Sequence, residues 1–168
     1  MPLSMYQASV PTIIRALDNL AAVLEKGAQH AEAKKFPAEG FINARLYPDM
    51  FPLSKQVQIA SDVSKGGCAR LAQVEAPSFE DNETTFPQLV DRLRKTIDFL
   101  RSLKPEQIDG SEERTVTWKT RTAERSMKGQ PYLLNHVLPN VFFHCATAYD
   151  ILRHNGVELG KMDFLGKP

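Results

Sequence analysis

Apolar residues recur every three or four positions through four stretches of this chain, and each stretch reads as a long helix. The first spans about 4–30, with Val10, Ile13, Ile14, Leu17, Leu20, Val23 and Leu24 on one side. Pro11 falls early in it, where a proline either opens a first turn after a short N-terminal piece or kinks the coil. The second covers about 54–76. Its Leu53, Val57, Ala60, Ser64, Gly67, Leu71 and Val74 alternate by four and three, the seam of antiparallel bundle packing. Small residues at Ser64, Gly66, Gly67 and Ala69 let a neighbouring helix approach closely or leave room for a pocket. The third covers about 85–103, with Phe86, Leu89, Val90, Leu93, Ile97, Leu100 and Leu103 as core stripe. Asp91, Arg92, Arg94, Lys95 and Arg101 are read as its solvent side, and Pro105 with Asp109-Gly110 stops it. The fourth, about 135–156, is strongly apolar and ends at Asn155-Gly156.

Two connections are long. Residues 37–52 carry Phe41, Ile42, Leu46, Tyr47, Met50 and Phe51. A loop that apolar must pack over the bundle as a lid or wall, with room for a short helix of its own. Residues 111–129 alternate in strand fashion at TVTWK, and 121–128 can return antiparallel as a small hairpin. Four helices with two long crossovers indicate an all-α bundle, not simply up-down-up-down, with a hairpin before the last helix. A single domain over residues 1–168 fits this length.

Composition narrows the class. The chain has 21 basic and 20 acidic residues, net charge +1, so no bias toward nucleic acid or anionic lipid is visible. Neither a signal peptide nor a run long enough to span a membrane is evident, and a cytoplasmic protein is expected. Cys68 and Cys145 lie inside apolar helical patterns, where a reduced, buried thiol is the expected state.

Three of the four histidines lie on the fourth helix, and His136, Asn140 and His144 stand at i, i+4 and i+8, along one face. His136 and His144 are about 12 Å apart along the axis, too far for both to bind one zinc comfortably. The i+4 slot between them holds Asn140, a poor transition-metal ligand, and Pro139 can kink the helix and alter these spacings. His154, at the helix C-terminus, is expected to be structural, and His30 to be solvated.

Other polar residues offer a small-molecule site. Gln58, Asp62 and Lys65 share a face of the second helix, where Asp62 and Lys65 read most simply as a surface i, i+3 pair. Turned inward, that face would meet His136, Asn140, His144 or Tyr149. A buried His144 beside Asp62 could act as a general base, with Lys65 orienting an anionic substrate. Trp118 and Tyr47, from the two long connections, are candidate walls, though each is more often core packing.

The blocks LPNVFFHCATAYDILRHNGVELGKMDFLG and LYPDMFPLSKQVQIASDVSK resemble an uncharacterised bacterial family of unknown function grouped with the DinB-like helical bundles. The resemblance covers essentially the whole chain. It implies an antiparallel four-helix bundle with long crossover connections, commonly a homodimer. Members of the wider superfamily bind a divalent metal through one histidine on the second helix and a His-x-x-x-His pair on the fourth. Many are metal-dependent enzymes, among them thiol-dependent transferases and isomerases. His144 matches the second histidine of the pair and is the best single metal candidate; Asn140 stands in place of the first. The second helix has no histidine, and Gln58 or Asp62 are the substitutes expected there.

Three readings follow. The first is a small-molecule site with metal-independent chemistry built on His144, Asp62 and Lys65, with Asn140, His136, Tyr47, Trp118, Gln58 and Tyr149 as ligand contacts. The second is a noncatalytic ligand-binding or dimeric scaffold. The third is a divalent-metal enzyme, whose cofactor is implied by the resemblance only. No basic face suggests a nucleic-acid partner, and no membrane partner is expected.

Overall fold

Two of the four long helices begin with the same device. Ser4 accepts from the Gln7 backbone N–H (3.2 Å) while the Gln7 side chain accepts from Ser4 N–H (3.4 Å). Thr85 and Gln88 repeat the reciprocal pair at 3.4 and 3.1 Å. Each box satisfies two backbone donors that a helix start leaves orphaned. In the computed structural model, which describes residues 3–120 and 122–166, these caps open α1 (Met5–Lys34) and α4 (Phe86–Ser102). Between them lie the short α2 (Ala38–Ile42) and the long α3 (Leu53–Ala72). After α4 come α5 (Pro105–Ile108), β1 (Thr115–Lys119) and β2 (Glu124–Lys128). A last helical rod then runs as α6 (Gly129–Tyr132), a π-helical turn (Leu133–Val137) and α7 (Leu138–His154), followed by α8 (Lys161–Leu165).

Pro11 lies inside α1, not at its start. It has no N–H for the Gln7 carbonyl, and the Thr12 hydroxyl donates to that oxygen instead (3.4 Å), so the helix continues. The second helix ends four residues earlier than the apolar pattern suggests, because Gln73 turns left-handed at φ 56°. In the last rod Pro139 cannot return a hydrogen bond to Asn135, and the coil widens into the π turn just before it.

α1 and α3 each pack against both α4 and α7, so consecutive long helices α1 and α3 stand on a diagonal of the bundle. The long 35–52 connection exists to span that diagonal. The core is the expected stripe: Ile13, Leu17, Leu24, Val57, Leu71, Leu89, Leu93, Ile97 and Leu100 are buried. One reading needs correction. Arg92, expected on the solvent side, is buried at 3% exposure. His30 is half-buried, with its ring edge-on against Phe41 at 5.8 Å.

The hairpin pairs antiparallel from Thr115↔Lys128 to Lys119↔Glu124, and its Val116 alone is buried. Arg121, where the expected return strand begins, lies outside the described residues. No described helix is long and apolar enough to cross a membrane.

The small residues of α3 do permit close approach. A Cβ built on Gly67 would fall 2.6 Å from a Val137 methyl. Gly67→Ala is therefore expected to push α7 off α3 and cost about 1–3 kcal/mol, as overpacking does. Urea unfolding measures it; a neutral or stabilising result would show that the two helices slide apart freely.

Candidate functional site

The seam of α3 carries one glutamine, Gln56, between Leu53 and Ala60, and it meets α7 at His144. Gln56 Oε1 lies 2.7 Å from His144 Nδ1, and Gln56 Nε2 donates to the Phe51 carbonyl at 3.1 Å. A carbonyl only accepts, so the amide nitrogen must face Phe51 and the amide oxygen must face the imidazole. His144 Nδ1 therefore carries the proton, and Nε2 holds the lone pair. Nε2 has no hydrogen-bond partner among the described residues. Burial pushes the His144 pKa below its ordinary 6.5, so the ring is neutral near pH 7. The exposed Phe143 ring stands edge-on to it at 5.1 Å.

Asn140, one turn before His144, donates to the His136 carbonyl at 2.6 Å. His136 sits within the π turn and joins different neighbours: its ring lies 4.7 Å from Trp118 and stacks on Tyr132 at 5.5 Å. Arg70 donates to the Tyr132 hydroxyl at 3.2 Å. Burial, with a smaller push from the Arg70 charge, lowers the His136 pKa as well. The structure thus joins two expected ligand contacts, Trp118 and His136, but not His136 with His144.

Asp62, Lys65 and Gln58 belong elsewhere. Gln56 and Asp62 are six residues apart on α3, about 120° around its axis. Asp62 pairs with Lys65 at 2.9 Å, the expected i, i+3 pair but with the lysine buried, and with the buried Arg92 at 2.8 Å. Arg92 also reaches Asp81 (3.0 Å), Glu83 (2.9 Å) and the Glu80 carbonyl (3.0 Å). Gln58 donates to Glu83 at 2.9 Å, and Lys55 pairs with Asp81 at 2.5 Å. Lys65 and Arg92 both lie over the Phe79 ring. Burial pushes the Glu83 carboxyl up, but hydrogen bonds from Arg92 and Gln58 outweigh it and hold it below its ordinary range. This assembly ties the 73–85 segment to the bundle. It does not bring Asp62 or Lys65 to His144.

Tyr47 is exposed. Tyr149 lines an apolar cavity of about 210 Å³ between α1, α7 and α8, with its ring 6.2 Å from Phe164. Cys68 and Cys145 are unbridged and buried, and burial pushes both thiols up to about 12.

The residue facing His144 from the second long helix is Gln56, not Gln58 or Asp62. The donor set where the resemblance implies a metal is therefore one imidazole nitrogen and two amides. The Gln56 oxygen is engaged by the His144 N–H, and the Asn140 amide nitrogen by His136. Among the described residues no three His, Cys, Asp or Glu side chains are grouped to hold a metal. These donors do not fit a divalent transition metal. Gln56 and Arg92 were both missed from sequence, although each falls on an apolar seam, where a long polar side chain needs a partner.

Comparison with known proteins places the chain. A family model described as a domain of unknown function, DUF1993, matches residues 5–165. The crystal structure of a DinB family member protein from Shewanella denitrificans matches with TM-score 0.88 and 37% sequence identity, covering 97% of this chain and 92% of that one. No curated protein matches.

Proposed function

This chain belongs to the domain-of-unknown-function family DUF1993, and on that premise we propose that it is a metal-independent, small-molecule-binding bundle whose polar anchor is His144. The Gln56 bridge carries the reading. By holding both the Phe51 carbonyl and His144 Nδ1–H, it sets one tautomer and leaves Nε2 as a neutral acceptor. Such a nitrogen takes a hydrogen bond from an O–H, N–H or S–H donor, so small molecules that keep their proton near pH 7, such as phenols, alcohols and thiols, are the ligands it suits. Partial burial keeps the ring uncharged near pH 7.

Thermal-shift screening of small phenols and thiols is expected to give hits that His144→Ala loses, each variant's shift being read against its own ligand-free Tm, since the loss of the Gln56 tie lowers that baseline. Nitrogen-15 spectra of the imidazole should show the Nδ1–H tautomer, with Nε2 moving when a hit binds. Hits that persist unchanged in His144→Ala would remove this histidine from the site. The sign of the pH effect follows from the lowered pKa. Below the ordinary 6.5 the unfolded chain binds a proton that the folded chain refuses, so stability drops as pH falls through that window.

A further inference from the structure

We infer that the apolar cavity between α1, α7 and α8 is a second binding seat, built for a neutral molecule the size of one aromatic ring and roofed by α8. It is independent of the His144 site: its α7 residues, Phe142, Cys145 and Tyr149, face α1 and α8, whereas His144 faces α3. Ala16, Leu20 and Val23 of α1 complete the floor. Its volume, about 210 Å³, exceeds the roughly 150 Å³ of a dry apolar cavity that takes up benzene. Close-packed interiors keep few voids larger than a water molecule.

The roof is held in an unusual way for an apolar pocket. α8 has no buried residue, and Leu165 is 44% exposed. What holds it are directional polar contacts along one side of α1. Arg15 donates to the Leu165 carbonyl at 3.0 and 3.2 Å, Asn19 to the Phe164 carbonyl at 3.0 Å, and Lys26 pairs with Asp163 at 2.6 Å. Water can replace each of these bonds in turn, so what α8 gives up on lifting is mainly the contact of Phe164 with Tyr149 over the cavity. The same bonds decide the ligand's chemistry. The Arg15 and Asn19 groups at the rim are engaged with α8 carbonyls, which leaves the interior apolar and suits an uncharged ring rather than an anion.

The test is a titration of the full chain with benzene, followed by carbon-13 methyl spectra of Leu20 and Val23 and by thermal unfolding. Saturable shifts at those two residues are expected, with a rise in Tm. Ala16→Phe, which fills the space, should abolish the shifts while the Leu71 and Leu133 methyls stay in place; Ala16→Leu provides a milder filling if the larger ring prevents folding. His144→Ala should bind benzene as wild type does, separating this seat from the His144 site. No saturable shift up to the solubility of benzene, or equal shifts in the filled variants, would overturn the inference.

Discussion

Replacing Arg92 by alanine is expected to lower the unfolding free energy by about 3 kcal/mol, at the lower end of the 3–5 kcal/mol seen when one partner of a buried ion pair is removed. The lower end follows from unequal exposure. Glu83, with its side chain 8% exposed, would keep a charge supported only by Gln58 and a backbone N–H. Asp62 and Asp81, 43% and 39% exposed, would fall back on Lys65, Lys55 and water at little cost. Arg92→Lys should recover only part of the loss, because an ammonium cannot reach three carboxylates and the Glu80 carbonyl with a planar fork. Adding Glu83→Gln to Arg92→Ala should recover more, since it removes the stranded charge. If the single variant costs under about 1 kcal/mol in urea titrations, the cluster is a surface network after all.

The acid response follows from the same residues. Burial raises both carboxyls, but Arg92 and Gln58 hold Glu83, and Lys55 with Arg92 holds Asp81, below their ordinary 4.5 and 3.8. A depressed carboxylate contributes stability that is complete above its unfolded value and lost as pH falls toward its folded one. Wild type should therefore weaken below about pH 4.5, and Arg92→Ala should show a shallower slope there.

The second large effect is a gain. Gln56→His with Asn140→His would place three imidazoles where the wild type has one imidazole and two amides. The expected outcome is stoichiometric zinc or nickel by elemental analysis of untagged protein, with a marked rise in Tm that a chelator reverses. Wild type under the same treatment should hold only traces. Failure of the double variant to take up metal would mean that α3 and α7 do not present these positions to a common point.

How far these sites could be read in advance depended on which force set each residue. The seam from Leu53 to Leu71 and the stripe from Phe86 to Leu100 were legible, because burial of apolar area dominates there and repeats with the helix period. The hairpin was legible from the alternation at TVTWK. Arg92 was not, since charge argues for solvent until a partner is known, and besides Asp62 its partners come from the 73–85 segment, which has no period to read. Gln56 lost to Gln58 for a related reason. The two are 160° apart on α3 by geometry, about 100° per residue taken both ways round the axis, and only the rotation of α3 against α7 decides which one faces the histidine. The widened turn at Leu133–Val137 had a visible cause in Pro139, but its effect, the parting of His136 from His144, belongs to three dimensions.

That widened turn sets the rotational phase of the last rod. Deleting one residue within it would restore a regular coil and rotate everything before it by about 100° relative to α7. Tyr132 would swing away from Arg70, carrying the Trp118 stack of the hairpin with it, while Gln56 and His144 stayed in step. The two ends of the molecule are therefore geared separately. A single insertion or deletion at this point can re-aim the Trp118–His136 end without disturbing the other.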